Sequence, residues 1–204
     1  IISILKSTYL PNKIIVVGTN SNDFIKINKL KKFIDLELII SPIPNQVKQR
    51  LLGFKYVTSK YIMQSDDDLL FKKNTIEKFY NEIIKDDHKK IYSGTLYINT
   101  THTSDDRWIK NYNKFKLFRG ILFTLNFFKK VKAGNVILSG RAIPDIGANH
   151  KREWLNSCLF FNAKFLKDYV GLECEGKAFY EDVYTTHNFY KLGYLLVKID
   201  NAII

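Results

Sequence analysis

The sequence predicts an α/β fold, with a mixed, mostly parallel central sheet flanked by helices, from three observations. Short apolar or β-branched runs recur at residues 14–17, 36–40 and 60–65, as buried strands of a parallel sheet require. Stretches with helical spacing separate them, most clearly Ile76, Phe79, Tyr80, Ile83 and Ile84, an i, i+3, i+4, i+7, i+8 stripe. The third run ends in Asp66-Asp67-Asp68. Three adjacent carboxylates repel one another and suit a strand interior poorly, so the strand ends there and its acids project beyond the sheet edge. Open α/β sheets bind ligands at that edge. Hard oxygen ligands in that place suit Mg²⁺ or Mn²⁺ shared with a diphosphate, and a solvated acidic turn is the competing reading.

In chain order, residues 1–10 have the spacing of an amphipathic helix that Pro11-Asn12 stops. The strand at 14–17 leads into a polar loop, Gly18 to Asp23, and residues 24–33 predict a short basic helix. After the strand at 36–40, Asn45 is placed to cap a helix carrying Val47, Leu51 and Phe54 on one face, with Gln49 and Arg50 beside them. Asn74 followed by Glu77 predicts a capped start for the next helix, and residues 91–98 a further strand. From 99 to 152 the pattern loosens. Asp105, Asp106 and Trp108 lie in a polar stretch, and residues 115–132 mix aromatics with lysines, as either a membrane-surface element or part of an α/β insertion. Regularity returns at Trp154, with a strand at 159–161 and a short capped helix at 162–169. A helix from about 179 to 192 follows, stopped by Gly193, and then a strand at 194–199.

The chain has 204 residues, of which 46% are hydrophobic, enough for one domain with a sizeable core. No apolar run reaches the roughly 20 residues of a membrane span. Cys158 and Cys174 have no metal-ligand or redox spacing and read as buried thiols of a cytosolic protein. A net charge of +12 favours anionic partners, but the lysines form no stripe, which argues against a nucleic-acid module.

Five segments in register resemble the family 2 nucleotide-sugar glycosyltransferases. They are Ile14-Ile15-Val16-Val17-Gly18-Thr19-Asn20-Ser21-Asn22-Asp23; Arg50 in the helix before the acidic strand; Asp66-Asp67-Asp68 as the D-x-D motif; Trp154-Leu155-Asn156-Ser157-Cys158-Leu159-Phe160-Phe161; and Tyr180-Glu181-Asp182-Val183 with Gly193-Tyr194. The resemblance implies a GT-A fold in a single domain, with residues 1–98 as the nucleotide-sugar half and 99–204 as the acceptor half. It implies metal-dependent transfer of a sugar from a nucleotide-diphosphate donor to a hydroxyl, with inversion, in surface polysaccharide or glycoconjugate synthesis. The acceptor would be a glycan or a lipid-linked glycan. The location would be cytoplasmic, with a peripheral contact at the inner membrane face.

The same resemblance implies the roles. Asp66 and Asp68 would hold Mn²⁺ or Mg²⁺, and Thr19, Asn20, Asp23, Arg50, Asp66 and Asp67 would line the donor site. Asp182 would be the base that takes the acceptor proton. Glu181 would orient the acceptor or Asp182, and Trp154 would contact the acceptor. In chemical terms alone, acids in a helix's first turn also complement its dipole, and Arg50 could support a phosphate, hold a loop or be a surface charge. The family's acidic residue after its second strand is replaced by Gly18, so the base is left to Thr19, Asn20 or backbone. The family's first strand and a late histidine are not matched, as in a chain cut at both ends. His187 reads as structural, and His88, His102 and His150 as loop residues. Two alternatives remain: a degenerate domain that binds nucleotide or glycan without turnover, and a sugar-phosphate nucleotidyltransferase.

Overall fold

The computed structural model describes residues 1–86, 88–95, 151–152, 155, 158–172 and 181–204. Two sheets form. Strands β1 (Lys13–Gly18) and β2 (Asp35–Ile40) pair in parallel, from Lys13 opposite Asp35 to Gly18 opposite Ile40. The second sheet contains β3 (Tyr61–Gln64), β4 (Lys90–Thr95), β5 (Lys151–Arg152), β6 (Leu159–Asn162) and β7 (Leu195–Ile203), in the order β3-β6-β4-β7-β5. Strand β6 is antiparallel to both neighbours and β7 is parallel to β4, so β3, β4 and β7 point one way and β6 and β5 the other. The apolar run at 159–161 shows burial on both faces but not direction, and β6 enters the sheet reversed.

Strand β6 separates the two halves of the core, because successive side chains point to opposite faces. Phe160, with Cys158 just before the strand, packs with Ile76, Phe79, Ile83, Tyr92 and Ile199 under α4 (Thr75–Lys85). Leu159 and Phe161 pack on the other face with Ile62, Ile91, Phe165, Tyr169, Phe189 and Leu196. That face is covered by α5 (Glu181–Lys191) and a 3₁₀ helix over Ala163–Asp168, which Asn162 caps through the Lys164 amide. Gly193, at φ +82°, ends α5 in the left-handed conformation glycine tolerates.

Several expected elements differ. The predicted helix over 1–10 is only α1 (Ile2–Leu5), because the Thr8 amide bonds to the Lys73 carbonyl and draws the chain off a helical course. The basic helix over 24–33 is three short pieces: a 3₁₀ turn at Ser21–Phe24, α2 (Ile25–Asn28), and a second 3₁₀ turn at Lys29–Lys32. Strand β2 is not buried throughout. Leu36 is inside, but Ile40 is 55% exposed at its end. Asn74 makes no side-chain cap to α4, and Glu77 instead accepts from the Thr8 hydroxyl at 2.6 Å, tying α4 to the chain's first turn. Ile84, counted in the apolar stripe, is exposed. Asp105, Asp106, Trp108, residues 115–132, Cys174, His102 and His150 lie outside the described residues.

Helix α3 (Gln46–Phe54) carries the connection to the site. The Asn45 side chain accepts the Lys48 amide at 3.0 Å, as expected of its cap, and Val47 is fully buried. Gly53 lets α3 lie close on β1, since a Cβ there would sit 3.1 Å from Val17 Cγ2. A tighter approach occurs at Gly94, where a Cβ would lie 2.5 Å from the Ala202 carbonyl oxygen and 2.7 Å from Ile204 Cδ1. Gly94→Ala is therefore expected to destabilise the chain by about 1–3 kcal/mol through overpacking at the β4–β7 bulge. Urea denaturation with an unchanged m-value would show it.

Candidate functional site

Strand β3 ends at Gln64, and the acidic triplet follows beyond the sheet edge. Asp67 and Asp68 are exposed, and Asp66 turns inward with its side chain 34% exposed. Above it lies Arg50, one turn into α3, with its side chain only 11% exposed. One guanidinium nitrogen donates to Asp66 Oδ1 at 3.0 Å, and the other pairs with Glu181 Oε2. Gln46 Nε2, a turn earlier on α3, also reaches Asp66 Oδ1, at 3.4 Å. Arg50 is therefore neither a surface charge nor free to wander. It is a buried cation joining the end of β3 to the start of α5.

Glu181 is the first residue of α5 and is 3% exposed. Its Oε1 lies 3.2 Å from the Tyr169 hydroxyl and 3.2 Å from the Thr185 hydroxyl one turn on. Thr185 also reaches back to the Val170 carbonyl at 2.8 Å. Tyr169 Oη is 3.1 Å from Gln64 Oε1 as well, and a phenol has one proton for two acceptors. The Gln64 Nε2 has no partner, and that orphan resolves the conflict. With the amide turned over, Nε2 donates to the phenol oxygen and the phenol proton goes to the Glu181 carboxylate, and the Gln64 atom left without a protein partner is then the carbonyl Oε1.

Asp182, next to Glu181, is partly exposed, and its Oδ1 accepts its neighbour's Val183 amide at 2.9 Å. Asp66 thus lies within electrostatic reach of three other carboxylates, Asp182, Asp68 and Glu181, while Arg50 pairs with Asp66 and Glu181. Burial raises the Asp66 carboxyl above the usual range. Arg50 opposes that shift, and Asp182, Asp68 and Glu181 add to it. Burial would also weaken the Arg50 charge, but the carboxylates of Glu181 and Asp66 oppose that. Burial drives the Tyr169 phenol upward, so it keeps its proton at neutral pH.

Thr19, Asn20 and Asp23 sit elsewhere, exposed in the loop after β1. Asn20 and Asp23 cap each other: the Asn20 amide donates to Asp23 Oδ2 at 3.2 Å, and Asn20 Oδ1 accepts from the Asn22 amide at 3.0 Å. Among the described residues no hydrogen bond or ion pair joins this loop to the Asp66 cluster. A Cβ at Gly18 would lie 3.0 Å from the buried Phe24 ring, which accounts for glycine in a place where an acid was expected. His187 stacks on Tyr190, consistent with a structural role, and His88 donates its amide to Asp86. Trp154 lies outside the described residues.

No group of three or more His, Cys, Asp or Glu among the described residues could hold a metal ion unaided. Mg²⁺ and Mn²⁺ rarely need such a cage: one or two carboxylates, water and substrate phosphate oxygens complete their shells. Asp68, exposed, and Asp66, with one oxygen committed to Arg50, fit that pattern.

Residues 1–144 match the model of Glycosyl transferase family 2. The chain belongs to that family. Among solved structures it is similar to Staphylococcus aureus TarS residues 1–349, at 15% identity and a TM-score of 0.63, covering 98% of this chain and 52% of that one. The same TarS fragment in complex with UDP-GlcNAc gives 15% identity and a TM-score of 0.57, covering 98% and 50%. GalNAc-T7 with UDP, GalNAc and Mn²⁺ gives 12% identity and a TM-score of 0.61, covering 97% and 38%. At these identities the likeness shows the fold, the GT-A α/β fold expected from the sequence. The chain spans about half the length of the TarS fragment. No curated protein sequence matches it.

Sequence reasoning missed Tyr169, Gln64 and Thr185. Gln64 carried a signal, being a polar residue at an inward position of an apolar strand just before the triplet. Tyr169, one of 12 tyrosines, carried none.

A raised Asp66 gives a signed expectation. Its contribution to stability is fully present below the ordinary aspartate value and is lost as pH rises through the raised one. In the metal-free chain, Asp66→Asn should remove that loss. The stability difference between variant and wild type, from urea denaturation between pH 3 and 7 (about the carboxylate range), should move in the variant's favour as pH rises. A flat difference would contradict it.

Proposed function

We propose that this domain transfers a sugar from a nucleoside-diphosphate donor to an acceptor hydroxyl, using a divalent cation held at Asp66 and Asp68. The observation that carries the reading is the Arg50 bridge. It brings the acidic end of β3 and the Glu181-Asp182 pair at the head of α5 into one cluster, across a sequence separation of 131 residues between Arg50 and Glu181. Family membership supplies the reaction class, and the UDP and Mn²⁺ held by GalNAc-T7 and the UDP-GlcNAc held by TarS support a uridine donor and a metal.

In this reading the acceptor oxygen attacks the anomeric carbon from the face opposite the diphosphate. A new C–O bond forms, the bond to the diphosphate breaks, the acceptor proton passes to Asp182, and nucleoside diphosphate leaves. A cation at Asp66 and Asp68 would neutralise charge on the leaving group. Asp182 is the suitable acid of the pair because it is partly exposed. Glu181 is turned inward with both oxygens engaged, so we assign it to holding the site rather than to the acceptor. Recognition of the base falls to Thr19, Asn20 and backbone of the loop after Gly18, and Asp23 shapes that loop. Asp67, exposed beside the metal pair, would face the donor. A glycan or lipid-linked glycan acceptor, peripheral membrane contact and a cytoplasmic site belong to the same proposal; no helix among the described residues is long and apolar enough to cross a membrane.

Calorimetric titration with UDP and Mn²⁺ tests the donor half. Asp68→Ala should abolish metal-dependent binding. Asp182→Asn should bind as wild type while UDP-sugar turnover falls about 10²–10⁴-fold, the usual contribution of a general base. Binding with no turnover in wild type would favour the degenerate-domain alternative.

A further inference from the structure

Tyr169 touches α3, the end of β3 and the head of α5, the elements that build the Asp66 cluster, and belongs to none of the sequence motifs. Its ring lies between two helices, in T-shaped contact with Phe54 of α3 at 4.9 Å and Phe189 of α5 at 6.0 Å. Its hydroxyl lies between Gln64 at the end of β3 and Glu181 at the head of α5. The segment that carries it is clamped onto α3. A Cβ on Gly171 would fall 2.4 Å from Val47 Cγ1, so glycine there permits an approach no other residue could make without moving the helix or the strap. A ring buried and wedged in this way cannot drift, and its hydroxyl is a fixed post.

We propose that Tyr169 is a positioning residue whose hydroxyl sets the orientation of Asp66 through Glu181 and Arg50, and so aligns the metal-side carboxylate with the acid at the head of α5. The phenol lies close enough to the Arg50 guanidinium to act on it directly as well as through Glu181. The phenol holds Glu181 Oε1, Glu181 Oε2 holds one guanidinium nitrogen of Arg50, and the other guanidinium nitrogen holds Asp66 Oδ1. The Thr185 hydroxyl, whose one proton has its shorter bond to the Val170 carbonyl at 2.8 Å, lies 3.2 Å from the same Glu181 oxygen and bounds it from within α5. An Arg guanidinium is planar and its donors keep a rigid fork, so rotation at the Glu181 end is felt at the Asp66 end. Groups that hold a metal ligand in place from behind often matter to the bound ion nearly as much as the ligand does. This inference rests on the proposed roles of Asp66 and Asp182, but the linkage itself can be measured without metal or donor.

The first test is a double-mutant cycle by urea denaturation of the metal-free chain, with Tyr169→Phe, Asp66→Asn and both together. Tyr169 and Asp66 share no hydrogen bond, so coupling runs through Glu181 and Arg50 or through Gln64. The cycle is therefore repeated in a Gln64→Leu background, where coupling that survives is carried by Glu181 and Arg50 and coupling that disappears overturns the inference. The inference expects the double variant's midpoint shift to depart from the sum of the single shifts; additive shifts overturn it. The second test is titration with Mn²⁺ and UDP. Tyr169→Phe should weaken binding by about tenfold, in the range seen when a group behind a metal ligand is removed. Adding the same change to Glu181→Gln should weaken it by less than the two single effects combined. Unchanged affinity in a Tyr169→Phe chain of lowered midpoint would make the phenol a mere core brace and overturn the proposal. If wild type binds neither Mn²⁺ nor UDP while the cycle is coupled, the transferase reading fails and the positioning network stands.

Discussion

The site depends on one buried cation. Removing a guanidinium from water costs several kcal/mol unless partners replace the lost hydration, and Arg50 finds them in Asp66 and Glu181. Helix α3 and strand β3 are neighbours in sequence, but α5 begins 131 residues beyond Arg50, and no backbone ladder joins it to them. Breaking such a pair from one side typically costs about 3–5 kcal/mol, because the group left behind is an uncompensated buried charge. The geometry of the acidic cluster therefore follows from a single side chain on a nine-residue helix.

That helix is itself positioned by ordinary means. Asn45 caps it, Val47 is driven into the core, and Gly53 lets it settle against Val17. With α3 so fixed, Arg50 is delivered at the depth where its donors meet carboxylates on either side. Glu181 is the buried acid of the cluster, and Asp68 and Asp182 stay open to solvent at its edge.

Much of this was legible in the sequence. The alternation of apolar runs and helical stripes gave the α/β class. The acidic triplet marks a strand end, and Arg50, Glu181 and Asp182 stand out by motif, although nothing in the sequence shows that Arg50 and Glu181 meet. The rest was hidden for physical reasons. Strand β6 reverses direction, which an apolar run of four cannot reveal. The stretch at 1–10 has helical spacing, but a tertiary bond from Thr8 ends the helix after Leu5. The inward turn of Glu181 also has no local signature, since a first-turn acid that complements a helix dipole and one that neutralises a buried arginine read the same. Only the partner distinguishes them, and the partner is 131 residues away.

Among the described residues, no ladder joins the two-stranded β1–β2 sheet to the five-stranded one. A lone pair of strands is marginal in water and depends on what packs against it, here α3 and the contact of Ile14 with the core. The loop after Gly18 hangs from this weaker unit, and the acidic cluster is anchored to the stronger one. Amide protons of β1 and β2 should then exchange with solvent through local openings that leave β4, β6 and β7 protected. A ligand gripping both the loop and the acidic edge would slow the first set and leave the second nearly unchanged. The chain would thus register an occupant as a change in the rhythm of its own breathing, on one side only.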